Sequence, residues 1–263
     1  MKFAIFIFFI LIIIFDMKNI DFVNYSGSYQ KDKKLVLKEL NLSIKKGEMI
    51  AIIGKSGAGK TTIFNAILKQ LQTKSGNIFI KESDIDKLTN KQWKNIVKKI
   101  GYLSQETNLI EDLNIYENIL HFYPSYKNKL FAFFKILTKK QKTEIFEVLE
   151  SLNILDKVFT KVSDLSGGQK HRVEIAKLLL KKVEIILADE PTASLDIKTS
   201  KDIMNILKSI NKNYETTILV NIHDLNIIQR FFTKYIFIKN GELVQIGNPK
   251  DLTKKEMEKL YES

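Results

Sequence analysis

The sequence predicts an α/β fold in which buried strands alternate with helices, with a mainly helical segment inserted at about residues 106–180. Three observations predict it. Apolar runs at Glu48–Ile53, Val183–Ala188 and Thr216–Ile222 read as buried parallel strands. Apolar residues at 63, 64, 67, 68 and 71, and again at 203, 206, 207 and 210, keep helical spacing. A glycine-rich stretch, residues 54–62, joins the first run directly to the first helical stripe.

That stretch is Gly54, Lys55, Ser56, Gly57, Ala58, Gly59, Lys60, Thr61 and Thr62, which fits G-x-x-x-x-G-K-[ST]. Glycine lets the backbone turn tightly and aim N–H groups at phosphate oxygens. The following helix adds unpaired donors and a partial positive charge. Lys60 supplies a full charge for the β/γ-phosphates, and the Thr61 hydroxyl is suited to ligate Mg²⁺. The stretch is therefore expected to bind a nucleoside triphosphate.

Taken in order, Ile20–Tyr25 and Leu40–Ile44 alternate as strands, and Lys46-Gly47 turns into the strand before the loop. Ser75-Gly76 predicts a turn leading into a strand at Asn77–Lys81. Residues 91–100 look helical, and Ile100–Gln105 is a strand running into a loop. The region from Ile115 to about Leu155 is helix-rich, with Ile145, Val148, Leu149 and Leu152 as a core-packing stripe. Leu165–Gln169 opens a helix carrying Val173, Ala176 and Leu180 inward. A helix around Ser200–Ile210 separates the second and third buried runs. Asn240-Gly241 between Tyr235–Ile238 and Glu242–Ile246 is a strong hairpin signal.

Chemistry collects at the strand ends, where open α/β sheets place ligands. Asp189 and Glu190 end the second buried run: one acid suits Mg²⁺, and the next can accept a proton from water. His223 ends the third run. Ser166-Gly167-Gly168 precedes a helix and forms a second anion-binding start. It lies far along the chain from the first, which makes sense if two copies of the chain each supply half of a site.

The ordered set resembles the ABC-transporter ATPases over residues 17–263: Walker A at 54–62, Gln105 as Q-loop, the signature Leu165, Ser166, Gly167, Gly168 and Gln169, Walker B at Ile185–Glu190, the D-loop at Ser194–Asp196, and His223 as switch histidine. The resemblance implies a RecA-like P-loop NTPase core with an antiparallel β subdomain and an inserted helical subdomain. It implies a head-to-tail dimer around two ATPs, in which Ser166 and Gly168 of one cassette grip the γ-phosphate held by the other. It makes Glu190 the general base, puts His223 on the γ-phosphate, and has Asp196 link the two sites. Thr61, Gln105 and Asp189 would serve Mg²⁺, and Gln105 would border the groove that receives a membrane permease. Tyr29 falls where the family stacks an aromatic on adenine, with Tyr25 close by as a second ring. Lys177 departs from the family's usual Arg and loses its fork geometry, which puts local ion pairing in question.

Leu137–Lys142, Asp189–Ser200 and Val220–His223 are similar to the phosphonate-importer branch, with Ile197 where that branch has proline. The resemblance points to import of phosphonates or other phosphorylated solutes, on the cytoplasmic face of the cell membrane and alongside permease subunits and a substrate-binding protein. An exporter or lipoprotein-release ATPase shares nearly the same nucleotide motifs. A soluble cassette protein acting on ribosomes or DNA is the other alternative, though no second cassette, coiled coil or metal-binding insert is present.

Composition narrows the partners. The net charge of +12 is almost all lysine, with arginine only at 172 and 230, so a solvated lysine-rich face is expected rather than a nucleic-acid surface. Cysteine is absent, which excludes disulfides, thiolate metal sites and a cysteine nucleophile. Residues 1–16 are set apart by the apolar run Phe3–Phe15. As a helix it reaches ~20 Å, short of a ~30 Å hydrocarbon core. Three readings stand: translation begins at Met17, the run touches a membrane, or it is a buried extra segment.

Overall fold

A computed structural model describes residues 18–29, 34–124 and 126–262. The apolar run at Phe3–Phe15 lies outside them. The chain divides into two compact units, Met1–Val97 with Lys208–Ser263, and Lys98–Leu207. No helix among the described residues is long and apolar enough to cross a membrane.

The first unit holds two sets of strands. In one, β1 (Lys18–Ser28), β2 (Leu37–Lys45), β4 (Gln72–Ile80) and β5 (Ser83–Asp84) pair antiparallel in the order β2-β1-β4-β5. In the other, β3 (Met49–Ile53) runs parallel to β8 (Thr217–Asn221) and to β9 (Lys234–Lys239), and β10 (Glu242–Gly247) returns antiparallel on β9. All five residues of β3 and of β8 are buried, as expected of parallel strands covered on both faces. The β9–β10 turn has Asn240 at φ 51° and Gly241 at φ 79°, the left-handed pair a two-residue hairpin needs. The helices are α1 (Lys60–Ile67), α2 (Asn90–Val97), α8 (Leu225–Phe231) and α9 (Lys254–Glu262).

One expectation fails here. Ser75-Gly76 is not a turn: β4 runs straight through it, paired with β1. The register slips between Val23 and Ser26, so Gly76 sits at a bulge with φ 68°. A Cβ there would run into the Asn24 carbonyl, so glycine at this position serves a kinked strand as well as it would a turn.

The second unit contains β6 (Ile100–Leu103) paired parallel with β7 (Ile185–Asp189), and the helices α3 (Ile115–Phe122), α4 (Lys129–Phe133), α5 (Lys139–Ser151) and α6 (Gly167–Lys181). The helix expected at Ser200–Ile210 is longer: α7 spans Ile197–Tyr214. Ile203, Leu207 and Ile210 are buried as expected, Ile206 is half-buried, and Met204 joins the buried set. The helix expected at 91–100 stops at Val97, before β6. Ile145, Leu149 and Leu152 are buried, with Val148 half-buried beside them. Asn118, fully buried, accepts from the Ile110 N–H at 2.8 Å and donates to the Ile110 carbonyl at 2.9 Å, tying down the stretch before α3.

Candidate functional site

In the first unit the site begins at Gly54, directly after buried β3. Lys60 is 6% exposed, yet its charge is not stranded: Nζ donates to the carbonyls of Gly54 at 2.9 Å and Lys55 at 3.1 Å. Gly59, at φ 108°, caps α1 without a side-chain hydrogen bond, and no acid lies in the first turn. The N–H donors at this helix start therefore have no side-chain cap and stay positive in character. Lys55, Ser56, Gly57 and Thr61 are exposed, Ala58 is buried against the fold, and Thr62 is half-buried.

Tyr29 and Tyr25 separate clearly. Tyr25 is in the core, edge-on to Phe22 at 5.7 Å, while Tyr29 is 39% exposed. The Tyr29 hydroxyl accepts from Asn65 Nδ2 of α1 at 3.0 Å, which fixes the exposed ring beside the loop helix. His223 follows β8 and is exposed, with Nδ1 3.5 Å from the Tyr261 hydroxyl of α9.

In the second unit Asp189 closes β7, and Tyr102 of β6 donates its hydroxyl to Asp189 Oδ2 at 2.9 Å. Burial, then the charge of Asp189, pushes the Tyr102 phenol well above its ordinary range, so it remains a donor. Glu190 sits at φ 49°, a left-handed conformation that costs ~1–3 kcal/mol in a non-glycine residue. The strained residue is the one assigned as base. Gln105 lies exposed in the bend after β6.

The signature opens α6 through a reciprocal cap: Ser166 N–H donates to Gln169 Oε1 at 2.9 Å, and Gln169 N–H to Ser166 Oγ at 3.3 Å. Leu165 is buried and Ser166 and Gly167 are exposed. Gly168 is buried, and a Cβ on it would strike the methyl of Thr199. Thr199 cannot readily turn away, because its hydroxyl donates to Asp196 Oδ2 at 2.6 Å. Asp196 also accepts from the N–H groups of Lys198 at 2.9 Å and Thr199 at 3.0 Å, capping α7. The Thr199 hydroxyl first, then its N–H, holds the Asp196 carboxyl below the usual carboxylate range.

Local ion pairing at Lys177 is intact. Its Nζ donates to Glu174 Oε1 at 2.8 Å and to the Asn108 carbonyl at 3.1 Å, and stands 4.0 Å from the centroid of the Phe122 ring. A point charge suffices because its partners lie in different directions and none asks for a planar fork. Tyr102, Thr199 and Tyr261 are the residues the motifs did not announce. Tyr102 reaches Asp189, Tyr261 reaches His223 and Thr199 reaches Gly168 across distances in sequence that local patterning does not encode.

A phosphate loop ahead of one helix and a capped Ser-Gly-Gly start ahead of another define a P-loop ATPase with a signature helix. The family model for the ABC transporter matches residues 37–193, and the chain belongs to that family. It is 36% identical over 248 residues to a probable ABC transporter ATP-binding protein of Mesomycoplasma hyorhinis, covering 94% of this chain and 96% of that one. A phosphonates import ATP-binding protein of Lactobacillus delbrueckii subsp. bulgaricus is also 36% identical, over 250 residues and 94% of each chain. Among solved structures, cbiO1 of Clostridium perfringens, part of an ABC transporter complex, superimposes with TM-score 0.79 at 26% identity, covering 92% and 93% of the two chains. A dimeric post-hydrolysis cassette bound to ADP and Pi matches with TM-score 0.72 at 31% identity, covering 89% and 100%. The protein is thus an ABC-type ATPase with the P-loop NTPase fold, the ATP-binding subunit of a transporter.

Proposed function

We propose that this ATPase drives a membrane importer of phosphonates or other phosphorylated small solutes, with residues 17–263 as the cassette and 106–180 as its helical subdomain. The observation that carries the substrate class is the 36% identity, over 94% of the chain, to a phosphonates import ATP-binding protein. In this reading two cassettes pair around ATP and bind permease subunits, with a substrate-binding protein acting through them on the far side of the membrane.

The loop N–H groups and Lys60 hold the β/γ-phosphates, and the ring of Tyr29 stacks on adenine. Thr61, Gln105 and Asp189 offer one carboxylate and two neutral oxygens, a donor set that suits Mg²⁺ when phosphates supply further oxygens. Among the described residues no group of three or more His, Cys, Asp or Glu forms a self-sufficient cage, which fits a metal shared with the nucleotide. When bound, Mg²⁺ would neutralise charge on the phosphates. Tyr102 keeps the Asp189 carboxylate oriented. Glu190 takes a proton from the attacking water, and His223 donates to the γ-phosphate. Ser166 and Gly168 of the paired cassette complete the γ-phosphate site, and Asp196 links one site to the other.

Replacement Glu190→Gln is expected to cut steady-state hydrolysis by roughly 10²-fold or more while an ATP-bound dimer accumulates on gel filtration. Undiminished hydrolysis would remove Glu190 from the role of base. For the substrate class, the complex purified with its permease and reconstituted into vesicles should hydrolyse ATP faster when its binding protein is loaded with a phosphonate. No response to any phosphonate or phosphate ester would overturn the substrate assignment and leave the ATPase standing.

A further inference from the structure

Helix α9 carries none of the family motifs, yet it is firmly started and it ends at the phosphate loop. Thr253 N–H donates to Glu256 Oε2 at 2.8 Å, and Glu256 N–H donates to Thr253 Oγ1 at 3.2 Å, a reciprocal cap. Near the far end, Tyr261 packs edge-on against Phe237 of β9, with centroids 5.7 Å apart and planes at 68°. That packing delivers its hydroxyl to two residues at once. It lies 3.5 Å from His223 Nδ1, and it shares a hydrogen bond with the backbone of Gly54, the first residue of the loop.

The sense of these bonds follows from the groups involved. The Gly54 bond favours the phenolate, so it is the Gly54 N–H that donates to the Tyr261 oxygen. Burial outweighs it and raises the phenol above its ordinary range, so Tyr261 keeps its proton at neutral pH. That proton is then available to Nδ1 of His223. A neutral imidazole that accepts at Nδ1 carries its hydrogen on Nε2. The 3.5 Å separation is at the long end of the range, as is common for catalytic hydrogen bonds before the site fills.

We propose that Tyr261 is a positioning residue for ATP hydrolysis: its hydroxyl, held by the packing on Phe237 and donating to His223 Nδ1, selects the histidine tautomer whose Nε2–H can donate to a phosphate oxygen. The proposal rests on the assignment of His223 to the γ-phosphate.

Tyr261→Phe keeps the ring on Phe237 and removes only the hydroxyl. Its kcat should fall about five- to tenfold, the worth of one hydrogen bond, with KM for ATP changed less than about twofold. Ring-nitrogen NMR of the neutral form of His223, assigned with His223→Ala, should show Nε2–H in the parent and a mixture of tautomers in Tyr261→Phe. In a His223→Ala background, Tyr261→Phe should cost nothing further. A parent histidine protonated at Nδ1, or a tautomer unmoved by Tyr261→Phe, overturns the proposal, and the first needs no variant. A further loss in the His223→Ala background also overturns it, since Tyr261 would then act by another route. A shifted tautomer with unchanged kcat would uphold the bond to Nδ1 and remove His223 from the γ-phosphate instead.

Discussion

Two helix starts in this protein, those of α1 and α6, are built in opposite ways. Helix α1 begins at Gly59 with no side-chain cap and no acid in its first turn. Helix α6 begins at Ser166 with its donors already engaged by the Ser166–Gln169 box. An uncapped start keeps its dipole and donors for an anion that arrives later. A capped start is stable in its own right, and its serine oxygen accepts from the Gln169 N–H while its own O–H proton stays available to donate. The first start leaves its positive end uncapped, and the second is stabilised by its own side chains.

The largest effect is expected at Lys60. Its ammonium is held by carbonyls of its own loop, so it is pre-placed rather than recruited. Lys60→Ala should leave the fold intact by circular dichroism and lower ATP turnover by roughly 10²-fold or more, the cost of losing a pre-placed electrostatic group. Turnover within tenfold of the parent would refute the loop's role in the reaction.

At the second start the leading effect is steric. Gly168→Ala puts a methyl against Thr199, which Asp196 holds in place. The overpacking should cost about 1–3 kcal/mol in urea unfolding, and Gly168→Ala combined with Thr199→Ser should recover part of it. Equal stability of Gly168→Ala and the parent would mean that α6 and the start of α7 can part freely. Ser166→Ala is milder. Loss of the cap should cost about 1 kcal/mol, measurable in the same urea assay; a value near zero would show that Gln169 does not depend on it.

Legibility in the sequence followed the range of the signal. The phosphate loop, the buried runs that became β3, β7 and β8, and the Asn240-Gly241 hairpin are local patterns, and each could be read directly. Gly76 is ambiguous in sequence because a glycine with positive φ serves a turn and a bulge alike; only pairing with β1 distinguishes them. The caps at Asn114–Glu117, Thr138–Gln141 and Thr253–Glu256 follow a local rule as well, but apolar periodicity passes over them. Tyr102 and Tyr261 carry no such local signal, whereas Thr199 stands three residues from Asp196 within the stretch Asp189–Ser200. Tyr261 stands 38 residues from His223, and Tyr102 stands 87 from Asp189, so a sequence window holds nothing that ties either pair.

A third helix start, that of α7, sharpens the contrast with the smallest effect. Asp196 caps it with bonds to the N–H groups of Lys198 and Thr199 and to the Thr199 hydroxyl, and these hold its carboxyl below the ordinary range. A carboxyl depressed on folding stabilises the protein fully above its unfolded value of about 3.9, and that contribution is lost as pH falls through the lower folded value. The parent should therefore be more stable than Asp196→Ala at neutral pH, with the gap constant down to about pH 5 and narrowing below about pH 4. Urea midpoints of both proteins across that window measure it. A gap unchanged into the acid range would mean that Asp196 acts by shape alone. If the gap narrows as expected, Asp196 is, like Ser166, committed to a helix start, and of these three starts only that of α1 has no side-chain cap.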